Sequence, residues 1–188
     1  MNLRQLPNLI SLLRILLVVP VVWSLLQGAY TTALILFLIA GLSDGLDGYL
    51  ARRYQWITRL GGFLDPLGDK LLMVCGYLTL GWIGALPGWL VGTVIARDVI
   101  IVLGTLSYRW LIANVTAQPL LISKLNTGLQ IVLVLLVILS LAGWLDLPML
   151  VKGLMYLVFI TTVMSGASYV ALWGYRAWQQ WPTRRRGA

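Results

Sequence analysis

The sequence predicts an all-α, polytopic membrane protein with six transmembrane helices, and three observations predict it. Of its 188 residues, 60% are hydrophobic and only 11% charged, more apolar surface than a soluble domain of this size can bury. The apolar stretches recur at lengths of about 20 residues, which is what a helix needs to cross a bilayer. The basic residues gather between alternate stretches rather than on a polar face, the pattern of membrane topology. The formal net charge of +8 therefore does not mark a nucleic-acid surface, and no nucleic-acid partner is expected.

Taken in order, Pro7, Asn8 and Ser11 read as a helix start, after a short N-terminal interfacial helix. No charge occurs from Ile15 to Ser43, and Gln27-Gly28 divides that run into two spans. A cleaved signal peptide competes for the first span. No small-x-small site precedes Tyr30 and more spans follow, so a retained helix is expected. The second span covers about residues 31–54, the third 60–83 and the fourth 89–112. An uncharged linker, 113–121, leads to Lys124 and a fifth span over 125–145. The sixth runs over about 149–173. Residues 1–175 form one membrane domain, and 176–188, ending in Arg184-Arg185-Arg186, form a basic, solvated, partly disordered cytoplasmic tail. Cys75 stands alone in an apolar run and reads as packing.

Six spans put both termini on one side, and the charges test this independently. The turns near residues 28, 86 and 146 hold no Lys or Arg, with Lys152 just beyond the last. The N-terminus, the 52–59 turn, the 109–124 linker and the tail hold most of the basic residues. Those segments are expected to be cytoplasmic. A compact chain without a long targeting segment suggests a bacterial inner membrane.

The chemistry is concentrated in one stretch. The chain has six acidic residues, no His and no Glu, and Asp44, Asp47, Asp65 and Asp69 lie close together. Asp44, Asp47, Gly48, Ala51 and Arg52 share one helical stripe, and Gly61, Asp65 and Asp69 share another. Two antiparallel helices could aim both stripes at one cytoplasmic-side pocket. A carboxylate in the hydrocarbon zone costs about 2.5–3.5 kcal/mol, so four together need cations between them. Oxygen-only ligands select hard divalent ions, Mg²⁺ or Mn²⁺, and four carboxylates suit two such ions clamping a phosphoryl group. Gly48, Ala51 and Gly61 leave room for a phosphate-bearing ligand, although small residues also serve helix packing. Arg52 can neutralise phosphates; Arg53 and Arg59 read as topology charges. Structural salt bridges could absorb one or two aspartates, but not four at these spacings.

The pattern D-x-x-D-G-x-x-A-R-x8-G-x3-D-x3-D, complete from Asp44 to Asp69, resembles the signature of the CDP-alcohol phosphatidyltransferases. Six spans and the Pro7-Asn8-x-x-Ser11-x-x-Arg14 start extend the resemblance over most of the chain, the start being similar to that of members with glycerol-based acceptors. The resemblance implies an integral-membrane enzyme that transfers the phosphatidyl group of CDP-diacylglycerol to an alcohol and releases CMP. It further implies that Asp44, Asp47, Asp65 and Asp69 ligate the two divalent cations. Asp69 would also act as general base on the acceptor hydroxyl, and Gly48, Ala51, Arg52 and Gly61 would cradle the cytidine diphosphate.

For the acceptor phosphate the candidates are Arg97, Arg109 and Lys124; Asp98 beside Arg97 could instead make it a structural ion pair. Ala96-Arg97-Asp98 and Ile122-Ser123-Lys124-Leu125-Asn126-Thr127 resemble the cardiolipin synthases of the family. Phosphatidylglycerophosphate synthases typically carry a lysine where Asn126 stands and Arg-Glu where Arg97-Asp98 stands. One cation fewer suits the single negative charge of phosphatidylglycerol better than the nearly two of glycerol 3-phosphate. Phosphatidylglycerol is the expected acceptor and glycerol 3-phosphate the alternative. A cation transporter is the reading from another class, but a transport route carries polar groups across its depth, and these acids gather at one face. Helices rich in Gly and Ala also allow a homodimer.

Overall fold

The computed structural model describes residues 6–54, 61–112 and 121–184, leaving aside the side chains of 6–8, 44, 46–52, 61–66, 105–112 and 173–184. The described residues form six helices and no strand: α1 (Leu6–Leu26), α2 (Tyr30–Arg53), α3 (Gly61–Trp82), α4 (Gly88–Ile112), α5 (Leu121–Leu141) and α6 (Pro148–Arg184). The Leu9–Leu26, Leu121–Leu141 and Pro148–Leu172 stretches are long and apolar enough to cross a membrane, and Tyr30–Ser43 is a shorter apolar run. The chain is a membrane protein. Large apolar side chains confirm the solvent: Leu9, Leu16, Val19 and Trp23 on α1 and Leu157, Ile160 and Met164 on α6 are exposed, an arrangement water would penalise.

The bounds of α2, α3 and α4 fall within one residue of those expected. The helix start expected at Pro7 to Ser11 falls in the first turns of α1, which runs from Leu6 to Leu26; the interfacial helix expected before it falls on residues 1–5, which, like the 55–60 turn and the 113–120 linker, lie outside the described residues. Two helices differ. The fifth helix begins and ends four residues earlier than expected, at Leu121 and Leu141, because a glycine cap stops it before the apolar run ends. The sixth continues through most of the expected tail to Arg184. Arg, Ala and Gln are good helix formers, and basic charge alone does not end a helix; residues 185–188 lie outside the description.

The caps of α1, α3 and α5 share one design. Gly28, Gly84 and Gly143 have φ of 73°, 77° and 74°, the left-handed region that glycine enters without steric cost. In each case the glycine N–H donates to the carbonyl three residues back (Leu25, Gly81, Ser140), and the next N–H donates five back (Ser24, Leu80, Leu139), at 2.9–3.2 Å. This is the Schellman motif. It satisfies carbonyls that would otherwise be orphaned at the membrane boundary, and it turns the chain where no basic residue stands.

The chain divides into two compact units, residues 1–87 with 134–148, and 88–133 with 149–188. In the first, α1 packs on α2 and α3 through a seam of Ser11, Arg14, Val18, Val21 and Leu25, all buried. Their 3–4–3–4 spacing is that of knobs-into-holes packing. The facing seam of α2 contributes Ala33, Phe37 and Ala40, and that of α3 Leu72, Tyr77 and Leu80. Gly76 of α3 faces the Phe37 ring, which a Cβ there would meet at an ordinary 3.8 Å.

The second unit has a polar core. Arg97 on α4, only 5% exposed, donates to Asp98 Oδ1 at 2.7 Å, to Ser165 Oγ of α6 at 2.9 Å through NH2 and 3.3 Å through Nε, and to Ser123 Oγ of α5. One turn along, the Asn126 carbonyl oxygen accepts from Thr161 at 2.8 Å and Thr162 at 2.9 Å. Gln130 donates to Thr162 at 3.5 Å. Away from the polar ladder, Trp89 of α4 stacks on Tyr156 and meets Phe159 edge-on, with centroids 6.0 and 5.2 Å apart.

Two stability outcomes follow. Gly143→Ala would force a Cβ into the left-handed region and lower stability by about 1–2 kcal/mol, whereas Gly153→Ala, in open space within α6, would not. Thermal unfolding in detergent compares the two. Asp98→Ala strips a buried guanidinium of its carboxylate and is expected to cost about 3–5 kcal/mol, read as a large fall in melting temperature.

Candidate active site

The aspartate stretch sits on helix ends whose register the packing has already set. Along α2 the buried seam positions 33, 37 and 40 continue, at steps of four and three, to 44, 47 and 51. These are Asp44, Asp47 and Ala51. Along α3 the seam continues backwards from Leu72 through Gly68 and Asp69 to Asp65 and Gly61. The same helical faces that bury apolar side chains at one end therefore carry the carboxylate positions at the other. All four aspartates belong to the first unit. The side chains of Asp44, Asp47, Gly48, Ala51, Arg52, Gly61 and Asp65 lie outside the described residues, so the backbone alone gives their place, on α2 and α3.

Asp69 is described in full. Its side chain is 48% exposed, and its Oδ1 accepts a hydrogen bond from Arg14 NH1 of α1 at 2.6 Å, within a salt bridge to a guanidinium that is 0% exposed. A charge-assisted contact this short is a strong one. Gly68 lies beside this pair: a Cβ there would meet Arg14 Cδ and Ile15 Cγ1 at 3.5 Å and the Ser11 carbonyl at 3.8 Å, ordinary contact distances. The arginine stem lies along the α3 backbone where a longer side chain would displace it. Spacing arguments did not single out Arg14, because its partner lies 55 residues away. The available signal was a lone charge deep in an apolar helix, where an ion without a counter-ion is costly.

The acceptor candidates lie in the second unit. Arg97 is buried and bonded to Asp98, Ser123 and Ser165, so the structural ion pair weighed from sequence does form. Lys124 is exposed in the first turn of α5, and the side chain of Arg109 lies outside the described residues. Asn126 is fully buried.

The residue types of the stretch are those a hard divalent ion takes, while among the described residues no three possible ligands come together. Asp69 offers a half-exposed carboxylate with one oxygen oriented by Arg14, and the neighbouring register positions supply only carboxylates, with no nitrogen or sulfur ligand in the stretch.

Comparison with known proteins places this geometry. The model of the CDP-alcohol phosphatidyltransferase family, whose members use divalent metal ions, matches residues 4–173. A Drosophila melanogaster protein named "Probable cardiolipin synthase (CMP-forming)" is 35% identical over 186 residues, covering 90% of this chain and 58% of its own. A Schizosaccharomyces pombe "Cardiolipin synthase (CMP-forming) / mitochondrial hydrolase fusion protein" is 37% identical over 184 residues, covering 89% and 31%. A Mycobacterium tuberculosis "Probable phosphatidylglycerophosphate synthase" is 32% identical over 174 residues, covering 89% and 80%. The chain thus spans well under two thirds of the first two relatives. With the motif, the helical architecture and a match over nearly the whole length in agreement, this chain belongs to the CDP-alcohol phosphatidyltransferase family.

Proposed function

We propose that this chain transfers the phosphatidyl group of CDP-diacylglycerol to a glycerol-based alcohol and releases CMP, with phosphatidylglycerol as acceptor and cardiolipin as product. The observation that carries the reading is the complete aspartate signature, set on the adjoining ends of α2 and α3, with Asp69 half-exposed and oriented. Two divalent cations, Mg²⁺ or Mn²⁺, bound by Asp44, Asp47, Asp65 and Asp69, would neutralise the diphosphate and stabilise the leaving CMP. Gly48, Ala51 and Gly61 give the cytidine diphosphate access to the backbone, and Arg52 answers its charge. Asp69 takes the proton from the acceptor hydroxyl as that oxygen attacks the phosphatidyl phosphorus, and the bond from phosphorus to the CMP oxygen breaks. Six crossings, with the site and both termini at the cytoplasmic face of a bacterial inner membrane, complete the proposal. Its support is the segregation of basic residues. Water-soluble CMP then leaves to water while the acyl chains stay in lipid.

For the acceptor, two observations within the second unit favour a lipid. An apolar groove of about 560 Å³ lies beside Arg97, lined by Ala96, Ile100, Val163, Gly166 and Val170 among others. It suits an acyl chain, which phosphatidylglycerol has and glycerol 3-phosphate lacks. Asn126, where the glycerol 3-phosphate enzymes typically carry a lysine, is buried against Thr161 and Thr162, so this position brings no cation. Lys124 is the exposed cation proposed for the acceptor phosphate. Arg97 and Arg109 are proposed beside it, with Arg97 contributing by exchanging one of its serine bonds. Glycerol 3-phosphate remains the second reading, favoured by the mycobacterial relative that this chain covers to 80% of its length.

Purified protein given CDP-diacylglycerol, Mg²⁺ and one acceptor at a time tests both levels. CMP and cardiolipin are expected with phosphatidylglycerol. Asp69→Asn is expected to slow CMP release by about 10²–10⁴-fold, and chelation to abolish it until Mg²⁺ or Mn²⁺ is restored. Phosphatidylglycerophosphate formed from glycerol 3-phosphate would move the acceptor and keep the reaction class; metal-independent release would overturn the aspartate reading.

A further inference from the structure

We infer that the groove between α4 and α6 is the subsite for one acyl chain of the acceptor phosphatidylglycerol, and that Gly92 and Gly166 keep it open. The inference rests on the reading of the acceptor as a lipid. All the walls belong to the second unit, the one that carries Arg97 and Lys124. On α4 the lining runs from Trp89 to Ile100, a length of about 16 Å at the helical rise. One leaflet's hydrocarbon is about 15 Å deep, so the groove has the length of a single acyl layer. A membrane helix of a second copy would need a seat about twice as long. One end is closed by rings: Trp89 stacks on Tyr156 and meets Phe159 edge-on, and the lining of α6 begins just past them, at Thr162. Towards the other end Arg97 bonds Ser123 in the first turn of α5, so the groove leads from the rings to the turn that carries Lys124. A phosphodiester met by Lys124 would have a slot of one chain's length running away from it. The walls are apolar even where the residues are not. Thr162 donates to Asn126 Oδ1 at 2.9 Å and Arg97 donates to Asp98 and Ser165, so both turn their polar atoms inward. Arg97 presents its Cγ to Gly166, 3.7 Å from where a Cβ would stand. Glycines in membrane helices usually serve close packing. Gly92 does not, because a Cβ there would meet nothing within 4 Å; what its missing side chain leaves free is the groove itself.

The open space at Gly92 makes the inference testable. The full chain in detergent is given CDP-diacylglycerol, Mg²⁺ and either dioleoyl- or dihexanoyl-phosphatidylglycerol. Gly92→Leu puts a branched side chain into the groove and improves helix propensity, so its melting temperature should not fall. It should lower the ratio of kcat/KM for the dioleoyl over the dihexanoyl acceptor at least tenfold, with KM for CDP-diacylglycerol within threefold of the unmodified enzyme. Phosphatidylglycerol with a photoreactive diazirine near the chain end reads occupancy without turnover. It should label the α4 and α6 peptides around Trp89 and Thr162 in the unmodified chain and not in Gly92→Leu. An unchanged ratio, with cardiolipin still formed, overturns the inference and leaves the proposed acceptor standing. Equal labelling by phosphatidylcholine with the same chains also overturns it, since the groove then holds bulk lipid. A raised KM for CDP-diacylglycerol with the acceptor ratio unchanged assigns the groove to the donor and overturns it too. Product from glycerol 3-phosphate, with none from any phosphatidylglycerol, removes the acceptor reading and this inference together. Should Gly92→Leu fail to fold, Gly92→Ala fills less of the same space. A fall of at least twofold in the ratio is expected there, and an unchanged ratio overturns the inference.

Discussion

A cation taken wholly out of solvent in a membrane protein has to be met by an anion, and that constraint organises both units of this chain. Arg14 has 0% side-chain exposure and is answered by Asp69 at 2.6 Å; Arg97 has 5% and is answered by Asp98 at 2.7 Å. Either ion alone would be costly at these depths. The two pairs do different things with the same physics. Arg97 and Asp98 are both buried, and the arginine spends its remaining donors on Ser123 and Ser165, so the pair ties α4 to α5 and α6. In the first unit only the cation is buried, and the anion stands at the surface where chemistry can use it.

The aspartate site depends on packing more directly than its polarity suggests. Positions 33, 37 and 40 of α2 are buried at 0–3% exposure, and the same step of three and four reaches Asp44 and Asp47. An insertion of one residue between the seam and the motif would rotate the carboxylate positions by about 100° away from the packed face. Apolar seam and aspartate positions are one register, so the helices that satisfy the bilayer also set where the carboxylates of the motif stand. At Gly68 an added Cβ would stand 3.5 Å from Arg14 and Ile15, in ordinary van der Waals contact, and a longer side chain would meet them.

Much of this was legible in the sequence, for physical reasons that also mark where legibility stopped. Hydrophobic length and charge asymmetry fix helices well, because the bilayer imposes both; hence the close bounds of α2, α3 and α4. The start of α5 at Leu121 precedes the charge at Lys124 that marks the edge of the apolar run, because Ser123 and Lys124 fit in the first turn of a helix. Its end was missed because Leu145 reads as apolar while Gly143 has already turned the chain at φ 74°. The sixth apolar span, Pro148–Leu172, is where the sequence puts it; helix α6 runs on past it to Arg184, because basic charge beyond an apolar run does not by itself end a helix. Within the site, spacing exposes residues that share a helix and is silent about those that meet across helices. That is why the four aspartates stand out together, while Arg14 is legible only as part of the N-terminal pattern and its contact with Asp69 is not.

The burial of Asn126 alters what its identity can mean for the acceptor. Read from sequence, the position mattered as one cation fewer for a phosphate. In the folded chain its carbonyl oxygen accepts from Thr161 and Thr162, while its amide nitrogen is buried with no hydrogen-bond partner among the described residues. Thr161 has one proton and three acceptors in reach, Asn126 Oδ1 at 2.8 Å and the Leu157 and Val158 carbonyls at 2.9 and 3.1 Å. Turning the amide over would let its NH₂ donate to both threonines while Thr161 donates to the backbone, and the carbonyl oxygen would become the unmatched atom. In either orientation one polar atom stays unmatched, at a cost of about 1–3 kcal/mol. A lysine here would have to bring a charge into the same enclosed position, and no carboxylate among the residues hydrogen-bonded to Asn126 would meet it. What the position supplies in the folded chain is polar packing of α5 against α6, which Asn126 shares with Gln130, Thr161 and Thr162.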